Sequence, residues 1–278
     1  MKTKTRLTIT LSQDLLTKVD SLIDGYSVRN RSHAIEGLVR QSLSADVKLA
    51  VILAGGTRKD SDVPSLKKIN KRYIFSIMID QLKMFGINRI IVCAGKNEEK
   101  MRKIFGDGSA YGVSIVYSSE KKPLGSAGTI KNAASLIGHD SFLVVNDNTL
   151  TNLNLDDLLE FHLDEDSIAT ICVKPRMSEK KYGQVSLHGN KIVKFLDKSE
   201  TEGISIANIG MYVLKPEIFE LIEENKYLSL ETDIFPKLVK NKKLSAFVFQ
   251  GSWFDVSKEI SYKEAVKNWS NYSHEKLF

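Results

Sequence analysis

The chain opens on a strict alternation of polar and apolar positions. Leu7, Ile9 and Leu11 fall on one side of residues 6–11, and Arg6, Thr8 and Thr10 on the other. Period two with β-branched residues predicts a strand. Ser12 then reads as an N-cap with Asp14 in the first turn, ahead of Leu15, Leu16, Val19, Leu22 and Ile23 at helical spacing. Gly25 is the expected stop. Asn30 or Ser32 is expected to cap a second helix, whose apolar stripe is Ala34, Ile35, Leu38, Val39 and Leu43. One strand and two helices cannot bury their own apolar faces, and a lone strand has two unpaired edges. Residues 1–45 are therefore expected to form a small domain that dimerises, two strands pairing as a ribbon under the helices of both copies.

Residues 44–48 (SADVK) read as a short polar connector, after which the texture changes. Apolar strand-like runs at 49–54, 88–94, 113–117 and 142–145 alternate with helical patterns at 73–85, 98–105 and 126–137. Continuous apolar strands between helices predict a largely parallel sheet covered on both faces, over residues 46–278. Ligands of such sheets bind beyond the carboxyl ends of the strands, which singles out the loops after residues 54, 117 and 145.

Composition narrows the picture only slightly. The apolar fraction of 42% supports a full core, and no apolar run reaches the ~18 residues of a membrane span. The basic N-terminus lacks the apolar stretch of a secretory signal. Cys93 and Cys172, the 2 cysteines, each sit in an apolar run and read as buried free thiols, which suits a cytoplasmic location. A formal charge of +6 is compatible with a nucleic-acid or nucleotide partner without requiring one.

Residues 4–44, with RLTITLSQDLLTKVDSLID and SVRNRSHAIEGLVRQSL, resemble the ribbon-helix-helix (Arc/MetJ-type) DNA-binding family. That resemblance implies that Arg6, Thr8 and Thr10 read base edges of double-stranded DNA. It also implies that a phosphate is seated near Arg31, Ser32 and His33 at the start of the second helix.

Residues 48–268 resemble the sugar-1-phosphate nucleotidyltransferases, which join a nucleoside triphosphate to a sugar phosphate and release pyrophosphate. The segments that carry the likeness are LAGG (53–56), PLGSAGTIKNA (123–133), FLVVNDNTLT (142–151), YGQVSLHGNKIVKFLDKSE (182–200), IANIGMYVL (206–214), SLETDIFPKLV (229–239) and WFDVSKEISYKEA (253–265). The resemblance implies a Rossmann-like domain with a mostly parallel mixed sheet. Leu53, Ala54, Gly55, Gly56 and Gly125 would hold the nucleotide. Lys198, Asn208 and Glu231 would hold the sugar phosphate, and Asp255 a magnesium ion.

Three departures from the family pattern stand out. The first loop is two residues short before Thr57-Arg58. Val63, Pro64 and Ser65 stand where the family has its catalytic lysine, with Lys67 and Lys68 offset. Asn146-Asp147-Asn148 replaces Asn-Gly-Asp, so an amide takes the place of a magnesium-binding carboxylate, with Asp147 a weak substitute. These departures lead to the expectation of a cytoplasmic, dimeric, DNA-binding transcription regulator. Its large domain would be a pseudoenzyme that senses a nucleotide or nucleotide-sugar, with Mg2+ needed only where triphosphate binding or activity survives. The alternative is an active sugar-1-phosphate nucleotidyltransferase dimerised by its N-terminal module.

Overall fold

The computed structural model describes residues 8–23, 28–44, 47–55, 63–177, 184–196 and 204–269. The chain divides into two compact units, Met1–Ala45 and Asp46–Phe278.

In the first unit, α1 (Gln13–Asp20) starts where Ser12 accepts a hydrogen bond from the Leu15 N–H. It stops at Asp20, short of the expected glycine, which lies outside the described residues. The second helix, α2 (Arg31–Ser44), is capped by Asn30, whose Oδ1 accepts from the His33 N–H at 3.0 Å. Arg31 donates two hydrogen bonds to Asp20, at 2.6 and 2.8 Å, tying the two helices together. The expected strand does not appear: residues 8–12 are irregular, while Arg6 and Leu7 lie outside the described residues. The reason is the one that argued for a ribbon, since a single strand within one chain has no edge to pair with.

The second unit is built on a nine-stranded sheet. Its first strand, β1 (Leu49–Leu53), leads to a two-residue hairpin of β2 (Lys68–Ile69) and β3 (Arg72–Tyr73). Then come α3 (Ile74–Met84), β4 (Arg89–Cys93), α4 (Glu98–Phe105) and β5 (Ser114–Tyr117). The expected helix at 126–137 is two pieces, α5 (Gly125–Asn132) and α6 (Ala134–Ile137). After β6 (Phe142–Asn146) follow β7 (Thr149–Thr151), α7 (Leu155–Asp164), β8 (Ala169–Met177), β9 (Gln184–His188), β10 (Lys191–Leu196) and β11 (Ile204–Leu214). The chain continues through α8 (Phe235–Lys240), β12 (Leu244–Val248), β13 (Trp253–Asp255) and α9 (Glu259–Asn268).

Sheet order is β5-β4-β1-β6-β11-β8-β12-β10-β9. The first four strands run parallel, as their apolar runs predict. From β11 onward the sheet is mixed: β11 pairs antiparallel with both β6 and β8, β12 lies parallel to β8, and β10 antiparallel to β12. Alternate residues of β1 enter separate cores. Ala50 and Ile52 pack with α3, α4 and α7, whereas Leu49 and Val51 pack with α5, α6 and α8. Burial on both faces explains the unbroken apolar run LAVIL. Along β11 the register with β8 shifts between Asn208 and Tyr212, where four residues oppose two of β8 and Gly210 has φ 77°. A bulge of this kind bends the strand beside a site.

Candidate active site

A cavity of about 310 Å³ opens where β1, β4 and β6 end, lined by Leu53, Cys93 and Asn146, the last residue of each. This is the carboxyl edge at which sheets of this type bind ligands. Glu120, the start of α5 and Glu231 close the remaining sides.

Leu53 and Gly55 line the cavity as expected. Ala54 stands behind it, 1% exposed, donating its N–H to the Cys93 carbonyl at 2.9 Å. Gly56 lies outside the described residues. Gly125 is in the wall at φ 73°, where a Cβ would come within 2.5 Å of the Leu228 carbonyl oxygen. The close approach that requires a glycine here is therefore made first by the protein's own backbone, since the Ala127 N–H also donates to Leu228 O at 2.9 Å.

Asn208 and Glu231 are brought together through a residue that sequence reasoning missed. Tyr212 donates to Glu231 Oε1 at 2.8 Å and accepts from Asn208 Nδ2 at 3.0 Å. Its phenol is fully buried, and burial, then the charge of Glu231, raises its pKa well above the usual value, so it stays a donor. Glu231 Oε2 accepts from Ser229 Oγ at 2.8 Å and from Ser126 Oγ at 3.2 Å. Glu231 sits on a single π-helical turn, Leu230–Ile234, capped by the Ser229 hydroxyl. Such turns recur at functional sites because they re-aim a side chain. The signal for Tyr212 lay in its spacing of four from Asn208, masked by the apolar run around it. Lys198 lies outside the described residues.

At the other end, β13 pairs antiparallel with β7, setting Asp255 opposite Thr149. Asn148 Nδ2 donates to Asp255 Oδ1 at 2.7 Å, and that oxygen also accepts from the Ser257 N–H at 3.1 Å. Asn148 is thus the residue that faces Asp255. Asp147 is 0% exposed, with its N–H donating to the Leu53 carbonyl. Among the described residues no three His, Cys, Asp or Glu side chains gather as a metal cluster. Asn148 turns its amide nitrogen to Asp255, so Asn148 Oδ1 and Asp255 Oδ2 are the oxygens left for a hard cation that takes its other ligands from substrate phosphates and water, as magnesium does. Lys67 donates to the Val256 carbonyl at 2.9 Å, bringing an ammonium to the segment that carries Asp255. Lys68 lies instead over the Tyr73 ring.

In the small unit, Thr8, Thr10, Ser32 and His33 are exposed. Arg31 is committed to Asp20, and the His33 N–H to Asn30. Arg6 is outside the described residues.

The profile of the nucleotidyl transferase family matches residues 49–271. The chain belongs to this family. A D-glycero-alpha-D-manno-heptose 1-phosphate guanylyltransferase from Aneurinibacillus thermoaerophilus is 28% identical over 229 residues, which span 80% of this chain and 99% of that enzyme. A mannose-1-phosphate guanyltransferase 2 from Candida glabrata is 38% identical over 152 residues, 52% of this chain and 42% of the relative. A UTP–glucose-1-phosphate uridylyltransferase from Synechocystis is 29% identical over 80% of this chain and 63% of its own length. Among solved structures, HddC from Yersinia pseudotuberculosis complexed with GMP-PN superposes with a TM-score of 0.69 at 25% identity, covering 80% of this chain and 99% of that one. These relatives overturn the expectation of a DNA-binding regulator with a pseudoenzyme domain: they are named as enzymes, and the family spans the large unit. The error was to treat three local departures, the short first loop, the missing lysine and Asn148 for aspartate, as decisive against an activity that rests on the whole cleft. Among the described residues no helix is long and apolar enough to cross a membrane.

Proposed function

We propose that this chain is a sugar-1-phosphate nucleotidyltransferase, converting a nucleoside triphosphate and a sugar 1-phosphate to a nucleoside diphosphate sugar and pyrophosphate. The observation that carries the reading is the cavity at the ends of β1, β4 and β6, flanked by Glu231 and its Tyr212 relay. The near full-length similarity to a heptose 1-phosphate guanylyltransferase supports it.

In this reading the nucleotide lies along Leu53, Gly55, Gly56 and Gly125, with Ala54 holding the loop from behind. The sugar phosphate is held by Asn208, Glu231 and Lys198. A carboxylate has roughly four acceptor positions. Glu231 uses three of them on Tyr212, Ser126 and Ser229. That leaves about one for a sugar hydroxyl. A phosphate oxygen of the sugar phosphate attacks the α-phosphorus, and pyrophosphate leaves in line, so positioning dominates the chemistry. Asp255 and Asn148 would hold Mg2+, which when bound neutralises phosphate charge.

The test is magnesium-dependent pyrophosphate release across nucleoside triphosphates paired with heptose, mannose and glucose 1-phosphates. Release that requires both substrates is expected. Triphosphate hydrolysis indifferent to the sugar phosphate, or no release in any pairing, would overturn the reading.

The N-terminal unit then serves as a dimerisation module. It buries Val19 and Ala34, yet leaves Leu15 51% and Val39 50% exposed, with Ile9, Leu22 and Leu38 similarly open. A second copy would cover them. Leu15→Glu should turn a dimer into a monomer in sedimentation velocity.

A further inference from the structure

The three residues proposed above for the sugar phosphate come from different parts of the chain, and each stands close in sequence to an aromatic ring. Phe195 lies three positions before Lys198, Tyr212 four after Asn208, and Phe235 four after Glu231. The rings form one stack. Phe195 and Phe235 lie nearly parallel, with centroids 6.1 Å apart and planes 15° apart. Phe235 in turn meets Tyr212 edge to face, at 5.3 Å and 61°. We infer that this stack aims the Tyr212 hydroxyl at Glu231, with Phe195 as a positioning residue for the sugar phosphate, an inference that rests on the nucleotidyltransferase reading above.

Tyr212 and Phe235 are fully buried, whereas Phe195 is half-buried and closes the stack on its outer side. The strand that carries Phe195 is anchored without it. Lys191, at the start of β10, donates to Glu165 Oε2 at 2.7 Å and to the Ser167 and Ser245 hydroxyls at 2.9 Å each. Lys191 also makes the bridge to β12, opposite Ser245. Beyond that bridge β10 pairs with β9 and packs against α8, where the Phe195 ring reaches Phe235. The fold of β10 is thus secured at one end, and the aromatic contact is made at the other.

The Tyr212 phenol donates to Glu231 and accepts from Asn208, so its oxygen is fixed from two sides. The direction of that oxygen follows the ring plane, and hydrogen bonds weaken steeply as their angles open. A tilt of the ring would therefore misalign both contacts at once. Phe235 sets the tilt, and Phe195 fixes the plane of Phe235. Paired rings hold a mutual orientation beyond what apolar burial alone supplies. A leucine at 195 would restore much of the apolar contact without the plane. None of the three rings lines the cavity, whose nucleotide end is walled by Leu53, Gly55 and Gly125. The influence of Phe195 is accordingly confined to the sugar phosphate.

The experiment is steady-state pyrophosphate release by the full chain, using whichever of heptose, mannose and glucose 1-phosphate the wild type turns over. Phe195→Leu, Phe195→Tyr, Tyr212→Phe and the double variant Phe195→Leu with Tyr212→Phe are compared, varying each substrate with the other saturating. Phe195→Leu should raise KM for the sugar phosphate about three- to tenfold, with kcat and KM for the nucleotide within about twofold of wild type. Phe195→Tyr, which keeps the ring, should behave as the wild type. In the Tyr212→Phe background there is no hydroxyl left to aim, so Phe195→Leu should add less than about twofold. An equal rise in both KM values, a Phe195→Tyr variant as impaired as Phe195→Leu, or the same Phe195→Leu factor in both Tyr212 backgrounds would overturn the assignment and leave the transferase reading intact. No release by the wild type in any pairing would overturn both.

Discussion

At one end of the cleft, both oxygens of Glu231 are held, Oε1 by Tyr212 and Oε2 by Ser126 and Ser229. At the other, Asp255 gathers Asn148 and Ser257 on Oδ1 alone. The donors to Glu231 come from β11, α5 and the π turn's cap, so that end is organised before any ligand arrives. Among the described residues, the Asp255 end offers one carboxylate braced by an amide, and it depends on charges that the substrates bring. Preorganisation is thus distributed unevenly: the sugar-facing residues are set by the protein, whereas the phosphate-facing ones are completed on binding.

The most severe way to break this contrast is Asp255→Asn. Removing the Asp255 carboxylate should lower kcat by about 10²–10³-fold, read from pyrophosphate release at saturating substrates. A drop under threefold would show that the charge is held elsewhere. Asn148→Asp should move the balance the other way. It replaces a charge-assisted hydrogen bond by two facing carboxylates, so the metal-free protein should lose about 1.5–3 kcal/mol in urea unfolding. Added Mg2+ should restore more stability than it does in the wild type. Equal Mg2+ responses in the two proteins would count against a metal at this pair.

At the organised end, Tyr212→Phe should raise KM for the sugar phosphate by about tenfold with little change in KM for the nucleotide. A nucleotide effect of equal size would mean that the relay supports the whole cleft. The smallest effect belongs to Cys93. With its pKa raised to about 12, only about one molecule in 10⁴ is thiolate at pH 8, so alkylation should be nearly absent there and should quicken as pH rises toward that value. Fast labelling at pH 8 would contradict the burial.

The parallel half of the sheet was legible because strands buried on both faces leave continuous apolar runs, and LAVIL and FLVVN stand out in any register. The mixed half was expected only from the family resemblance, since alternation reports which face a residue takes and says nothing of strand direction. The family pattern put Asn148 at the place of a metal-binding aspartate, where it faces Asp255, while Asp147, kept as a weak metal candidate, is fully buried. Tyr212 and Glu120 were hidden for different reasons. Tyr212 looks like core, and it is core with a working hydroxyl. Glu120 sits in a charged run, EKK, where a solvated face is the ordinary reading, and only the closing of β4, β5 and α5 turns it inward. The alternation at residues 6–11 predicts a strand that residues 8–12 do not form within one chain, while Arg6 and Leu7 lie outside the described residues.

The irregularity in β11 carries a consequence for how this cleft can change over time. Two surplus residues are looped out between Asn208 and Tyr212, and two is an even number. The pleat therefore resumes in phase, with both side chains on the side where they meet. Losing one of the pair would turn one flank of the strand inside out. Losing both would straighten the strand and leave every inward residue inward. Mutation can thus alter the angle between the two halves of the cleft in steps of two residues, and single-residue steps there would be purged.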